Sequence, residues 1–211
     1  TRNGNLTINS GVANQFQLNG KVLTTTGNIV NAGTFNGDAN ALDGIIFNGS
    51  TQQIVSGAGT FTNDNVRNIT LNSTAVTTPS VDLQSSFSVS NGLTLTKGTI
   101  GTTNASVFTI GRLASSSTLT VTRSGGSLGL TPIFALGSVT ANYTYTAPTP
   151  AANVTTGSEI PSATNLGTLT INNTSGVTLD KAVNVTTLAL SSGVLTTSAT
   201  NIATVIGSAA N

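Results

Sequence analysis

Residues 69–73 read Ile69-Thr70-Leu71-Asn72-Ser73. The pattern recurs as Leu119-Thr120-Val121-Thr122-Arg123 and as Leu169-Thr170-Ile171-Asn172-Asn173. These three copies are evenly spaced, and an earlier one, Leu6-Thr7-Ile8-Asn9-Ser10, stands ahead of the first by more than that spacing. A second element, LTLTKGTI at 93–100, returns as LALSSGVL at 188–195. Self-similarity over tens of residues marks a solenoid or a tandem array. In each copy apolar side chains sit at i and i+2 with polar ones between. That is the period of a strand with one face in a core and the other in water.

Further short alternating segments lie at 16–18, 45–47, 81–83, 87–89, 107–110, 177–179 and 183–185. Asn-Gly pairs (19–20, 48–49, 91–92) and Ser-Gly pairs (56–57, 124–125, 175–176, 192–193) separate them, and such pairs form turns. Two all-β architectures suit this rhythm. The first is a parallel β-solenoid, a right-handed β-helix by the usual hand of parallel crossovers, whose coils stack about 4.8 Å apart. The alternative is tandem β-sandwiches of roughly 100 residues each. The correspondence between 68–111 and 168–208 fits the sandwiches. The copy at 119–123 and the shortness of the strands favour the solenoid. At roughly 20–25 residues per coil the chain forms about nine coils and a rod of about 40–45 Å, one continuous segment over 1–211. Residues 141–163 hold three of the five prolines and both tyrosines, and read as an extended strand with a loop insertion bulging from the rod.

The composition agrees. Thr (40), Asn (24), Ser (23) and Gly (23) supply more than half of the 211 residues, and only 6% are charged. Helix formers are scarce while β-branched and turn residues dominate, which excludes a helical bundle. With 37% hydrophobic residues and a net charge of +1, the chain also lacks the signature of disorder. So small a charge provides no field for nucleic acid or an anionic membrane. No apolar run approaches the roughly 18 residues of a membrane span. Without Met, basic n-region or apolar h-region at its start, the sequence is expected to be part of a longer chain, any signal peptide being removed or outside it. Neither end reads as a polar cap, so the coils are expected to continue.

The absence of Cys and His removes thiolate metal sites and the usual general base. The carboxylates are Asp38, Asp43, Asp64, Asp82, Asp180 and Glu159. Asp38 and Asp43 form the only pair close together along the chain; in a Gly/Asn-rich stretch they read as solvated turn residues or backbone caps rather than a glycosidic pair. Asp64/Arg67 and Asp180-Lys181 read as surface charge. Asp38–Asp43 and Asn63-Asp64-Asn65 are weak calcium candidates, without the loop of an EF-hand or the nonapeptide of a β-roll. No cofactor is implied. Tyr143 and Tyr145 share one face of an extended segment and are candidate glycan contacts, because exposed rings stack on sugars. The competing possibility is that one packs on the coil beneath and the other covers the loop. Thr-x-Thr pairs at 94/96, 118/120 and 168/170 suggest an ice-binding face, but their spacing along the chain is irregular.

FNGSTQQIVSGAGTFTNDNVRNITLN at 47–72, VTTGSEIPSATNLGTLTINNTSGVTL at 154–179 and FSVSNGLTLTKGTI at 87–100 together resemble repeats of very large secreted surface proteins of Bacteroidetes, exported by the type IX secretion system. The resemblance covers most of 44–208; residues 1–43 match less well. It implies β-solenoid modules, an extracellular, adhesin-like or fibrous role, and no catalytic motif. The C-terminal sorting domain of such exports does not lie in these residues.

The sequence therefore predicts a non-catalytic structural or adhesive segment, extracellular or on the cell surface. Its partners would be itself, neighbouring repeats of the same protein and surface glycans. A glycan-binding module is the alternative, ahead of a polysaccharide-active enzyme or an ice-binding protein.

Overall fold

The computed structural model describes residues 3–11, 13, 15–112, 118–137, 140–162 and 165–207. No helix occurs among them. Every ladder pairing is parallel. The chain is a parallel β-solenoid of about eight turns with three walls.

The first wall starts with Gln15–Gln17, Thr34–Gly37, 60–66, 87–89 and Phe108–Gly111. The second is the most regular. Val22–Thr25, Gly44–Phe47, 68–71, 92–95, 120–123, 142–145, 168–171 and 187–190 pair in that order without interruption. Eight layers at strand spacing span about 34 Å. The second wall thus has one layer fewer than the nine coils the sequence predicted, whereas the third wall has nine levels, and the coils differ in length. The coil that brings Val177 onto Leu195 is short, whereas the one that brings Ile100 onto Leu128 is half as long again. The third wall begins with Leu6–Ile8, Ile29–Asn31, Gln53–Ser56 and Val81–Leu83, and continues at 100–101 and 128. It resumes as a separate three-stranded sheet of Val154–Thr155, Val177–Thr178 and Leu195–Thr196.

Every short strand predicted from alternation lies in or overlaps an observed one. Several run longer than expected. Phe87–Gly101 passes through all three walls, turning at register shifts between Val89 and Gly92 and between Leu95 and Lys97. A bulge bends a strand without ending its pairing, which is how one strand rounds two corners.

The sequence repeat and the structural repeat are not in phase throughout. Ile69 pairs Leu93, Leu93 pairs Val121, and Leu169 pairs Leu188. The copy at 119–123 is thus slid by two positions relative to those at 69–73 and 169–173. A slip of two keeps every apolar side chain on its own face, so alternation does not resist it. Its consequence is local: Arg123 enters a column otherwise filled by Phe47, Leu71, Leu95, Tyr145 and Ile171. The copy at 6–10 belongs to the third wall, where Leu6 pairs Ile29.

Outward from the second wall the same pairing aligns what the sequence scattered. Thr70, Thr94, Thr122, Thr144 and Thr170 lie in one file, one per coil. Thr24 continues it beyond Ile46, and Ala189 ends it.

The core is a column of stacked apolar side chains. On the first wall Phe16, Phe35, Phe61, Phe87 and Phe108 form a ladder with ring centroids 5.3, 5.5, 4.5 and 5.9 Å apart. Such ring pairs contribute beyond their buried area. Corners are closed by buried amides. Gln53 accepts from the Gly49 amide and donates to the Thr25 and Gly27 carbonyls; Asn173 accepts from Ser175 and donates to Ala152 and Gly176. At Gly57, with φ +111°, a Cβ would collide with the Asn31 carbonyl one coil away, so the backbones approach as only glycine permits.

Phe61→Ala, in the middle of the ladder, is expected to destabilise the fold by about 3–5 kcal/mol. Val76→Ala, at a residue 98% exposed, is expected to stay within about 0.5 kcal/mol of the parent in the same denaturant titration.

Candidate functional site

The slipped register creates the first cluster. Arg123, held in the core column, donates from Nε to the Gly126 carbonyl at 2.7 Å and from Nη1 to Glu159 Oε1 at 2.6 Å. The same oxygen accepts from the Tyr145 hydroxyl at 2.9 Å and from the Gly157 amide at 3.0 Å. Glu159 is fully buried, and the Arg123 side chain is 14% exposed. The hydroxyl of Tyr143 and Glu159 Oε2 are buried without a hydrogen-bond partner. Burial raises the hydroxyl pKa of both tyrosines, and the negative charge of Glu159 raises it further.

Tyr143 and Tyr145 are therefore core residues, each 1% exposed, in the strand Ala141–Thr146. Neither ring offers a face to a sugar in solvent, which corrects the glycan assignment. The reason is phase: Tyr143 pairs Val121 and Tyr145 pairs Arg123, both in inward positions. The segment 141–146 belongs to the coil stack, and the non-strand chain that leaves it begins at Ala147.

A second cluster surrounds Asp38, which is buried rather than solvated. Its Oδ2 accepts from Asn63 Nδ2 at 2.7 Å and Arg112 Nη1 at 3.0 Å; Oδ1 accepts from Asn65 Nδ2 at 2.8 Å. Arg67 Nε stands 2.6 Å from Oδ1, as an ion pair without hydrogen-bond alignment. Arg67 thus partners Asp38 rather than its sequence neighbour Asp64. Asp43 is a buried backbone cap, accepting from the amides of Gly20, Ala39 and Asn40. Asp82, also buried, accepts from the amide and hydroxyl of Thr103 and from Gln84. Lys181 lies 3.4 Å from Asp180 and donates to the Gly157 and Ile160 carbonyls. Among the described residues no three of His, Cys, Asp and Glu are placed to hold a metal ion, and no helix is long and apolar enough to cross a membrane.

Two open grooves stand out. One, of about 640 Å³, lies on the first wall between Asn63, Ser86, Ser88, Thr109 and Arg112. The other, of about 770 Å³, follows the corner between the second and third walls, under the turn containing Pro148 and Pro150. Lys97 and Arg123 line it beside Asn72, Thr96, Ser124, Asn153 and Thr155, and no carboxylate does. Sequence reasoning did not find this groove. Its walls come from coils that are close only because the register makes them so.

No protein-family model, no curated protein and no solved structure matches this chain. The fold itself places it among the parallel β-solenoids.

Two measurements test the Arg123 cluster. Arg123→Leu alone is expected to cost about 3–5 kcal/mol, because it strands a buried carboxylate. Adding Glu159→Gln is expected to recover most of that loss in chemical denaturation, since the amide keeps the contacts of Tyr145 and Gly157 and carries no charge. Separately, raised tyrosine pKa values mean that the native chain holds protons that the unfolded chain has released. Stability is then complete below the ordinary tyrosine value of about 10 and falls as pH rises above it. The ultraviolet absorbance of tyrosinate is expected to rise only together with unfolding, not before it.

Proposed function

We propose that this chain is a non-catalytic structural segment of a secreted surface or extracellular fibre protein, with the rod acting as stalk or adhesive body. The observation that carries the reading is the second wall, whose backbone pairing runs through eight layers without a break. Such a stack is a stiff spacer, because every coil is hydrogen-bonded to the next along the axis. The carboxylates support it. Asp38, Asp43, Asp82 and Glu159 are each committed to cations, amides or hydroxyls of the scaffold. Asp64 and Asp180 stand on different coils.

In this reading the partners are further coils, from neighbouring repeats or another copy, with surface glycans as adhesion targets. The resemblance to secreted Bacteroidetes repeats points to the same extracellular setting.

Antibodies against the chain are expected to label intact producing cells or fibres shed from them; labelling only after permeabilisation would overturn the proposal. A scaffold for variable surroundings should also resist acid and base. Without histidine, the thermal midpoint is expected to be nearly constant from about pH 5 to 9.

The threonine file favours a second reading, an ice-binding face. Five threonines repeat at strand spacing on an uninterrupted wall, and hydroxyls and methyls so ordered can template water. Thermal hysteresis that disappears in Thr122→Lys would establish it; ice growth indistinguishable from buffer would eliminate it.

A further inference from the structure

We propose that the groove between the second and third walls binds an acidic oligosaccharide, with Lys97 and Arg123 receiving its carboxylate or sulfate groups. This rests on the adhesive reading, for which it names the class of glycan; the stalk role does not depend on it.

Arg123 stands in a column of apolar side chains. Its column accepts Leu71, Leu95 and Ile171 in other coils, so an aliphatic side chain fits the position. Replacing a buried ion pair by apolar residues is often neutral or stabilising. Folding alone therefore gives no reason for arginine here, nor for the fully buried Glu159 that must accompany it. What arginine adds is a planar array of five donors. Nε and Nη1 are committed to Gly126 and Glu159, which fix the plane of the guanidinium, and Arg123 lines the groove. A guanidinium fixed in this way loses little entropy on meeting a planar carboxylate or a sulfate.

Lys97 supplies the second charge. It is exposed on the same groove, where no carboxylate answers it. Arg67 and Arg112 share Asp38, and Lys181 has Asp180. With Glu159 balancing Arg123, the groove keeps the excess positive charge of Lys97.

The remaining lining selects a sugar over a simple anion. The exposed Thr96 and Thr155 present hydroxyls, the partners that sugar hydroxyls use, beside Asn72, Ser124 and Asn153, whose side chains are bonded to Asn48, to the Thr96 carbonyl, and to Ser175 and Thr178. Pro148 and Pro150 give an apolar ledge for the C–H face of a pyranose. Gly125 allows this ledge to close in, since a Cβ there would lie 3.3 Å from the Pro148 Cβ and 2.9 Å from the Thr96 carbonyl oxygen. The volume, about 770 Å³, is in the range of small-molecule clefts.

The test titrates the whole chain at low salt with a galacturonate tetramer, a chondroitin sulfate tetrasaccharide, neutral maltotetraose and a short duplex DNA. At least one acidic sugar is expected to bind, and which of the two binds separates carboxylate from sulfate recognition. Lys97→Gln should weaken it about tenfold, the loss of one charged contact. Lys21→Gln, at an exposed lysine outside the groove, should leave it unchanged. The proposal is overturned by any one of four results: no acidic sugar binds, maltotetraose binds as well, Lys97→Gln binds as the parent does, or DNA binds as tightly as the sugar. Surface labelling and rod shape are unaffected by any of these, so failure here leaves the scaffold reading standing.

Discussion

Parallel pairing of each coil with the next is the constraint on which everything else in this molecule rests. Because backbone groups must be paired when buried, each coil has to present strands where its neighbours present theirs. Side chains then stack in files about 4.8 Å apart, inward and outward alike. The phenylalanine ladder, the aliphatic columns and the threonine file are three expressions of this one rule. So is the near absence of charge, since identical charges in a file would repel at every step.

The same constraint explains where polar chemistry collects. Walls admit only residues that tolerate stacking on their like, whereas corners must satisfy amides and carbonyls released from the ladder. Asp43, Gln53 and Asn173 serve corners, while Asp82, in the third-wall strand Val81–Leu83, accepts from the Thr103 amide; all four are buried. Their acceptors are saturated by nearby donors, so they are structural parts and not idle acids. Arg123 and Glu159 are different, because their cluster arises on a wall, from a register slip.

Much of the fold can be read from single residues. The apolar-polar alternation at 69–71, 93–95 and 169–171 places strands correctly because period two is a local property. Register is not local. Coils of unequal length hide the fact that Thr70, Thr94, Thr122, Thr144 and Thr170 meet. Tyr143 and Tyr145 could have been placed inside. Ala141-Asn142-Tyr143-Thr144-Tyr145 has the alternation of Leu119-Thr120-Val121-Thr122-Arg123, with the rings in the apolar phase. Pro148 and Pro150 belong to a loop that begins only after the strand has ended at Thr146. Arg123 itself carries no sequence signal of burial, because the repeat aligns it with Ser73 and Asn173 while the structure aligns it with Leu95 and Tyr145.

A slip of two positions is nearly invisible to the hydrophobic pattern, yet it changes which residue meets which. In a fold held together by like upon like, such a slip introduces an unlike residue into a file without disturbing the walls on either side. The coil at 119–128 tolerates it because Gly125 and Gly126 let the backbone approach Thr96 and Leu95 closely, and because the third wall is divided just beyond, between Leu128 and Val154. Where pairing is interrupted, the corner opens into a groove and a cation can reach its edge. A solenoid can thus acquire a binding site by a local change of register, with no new domain and no change in the surrounding coils.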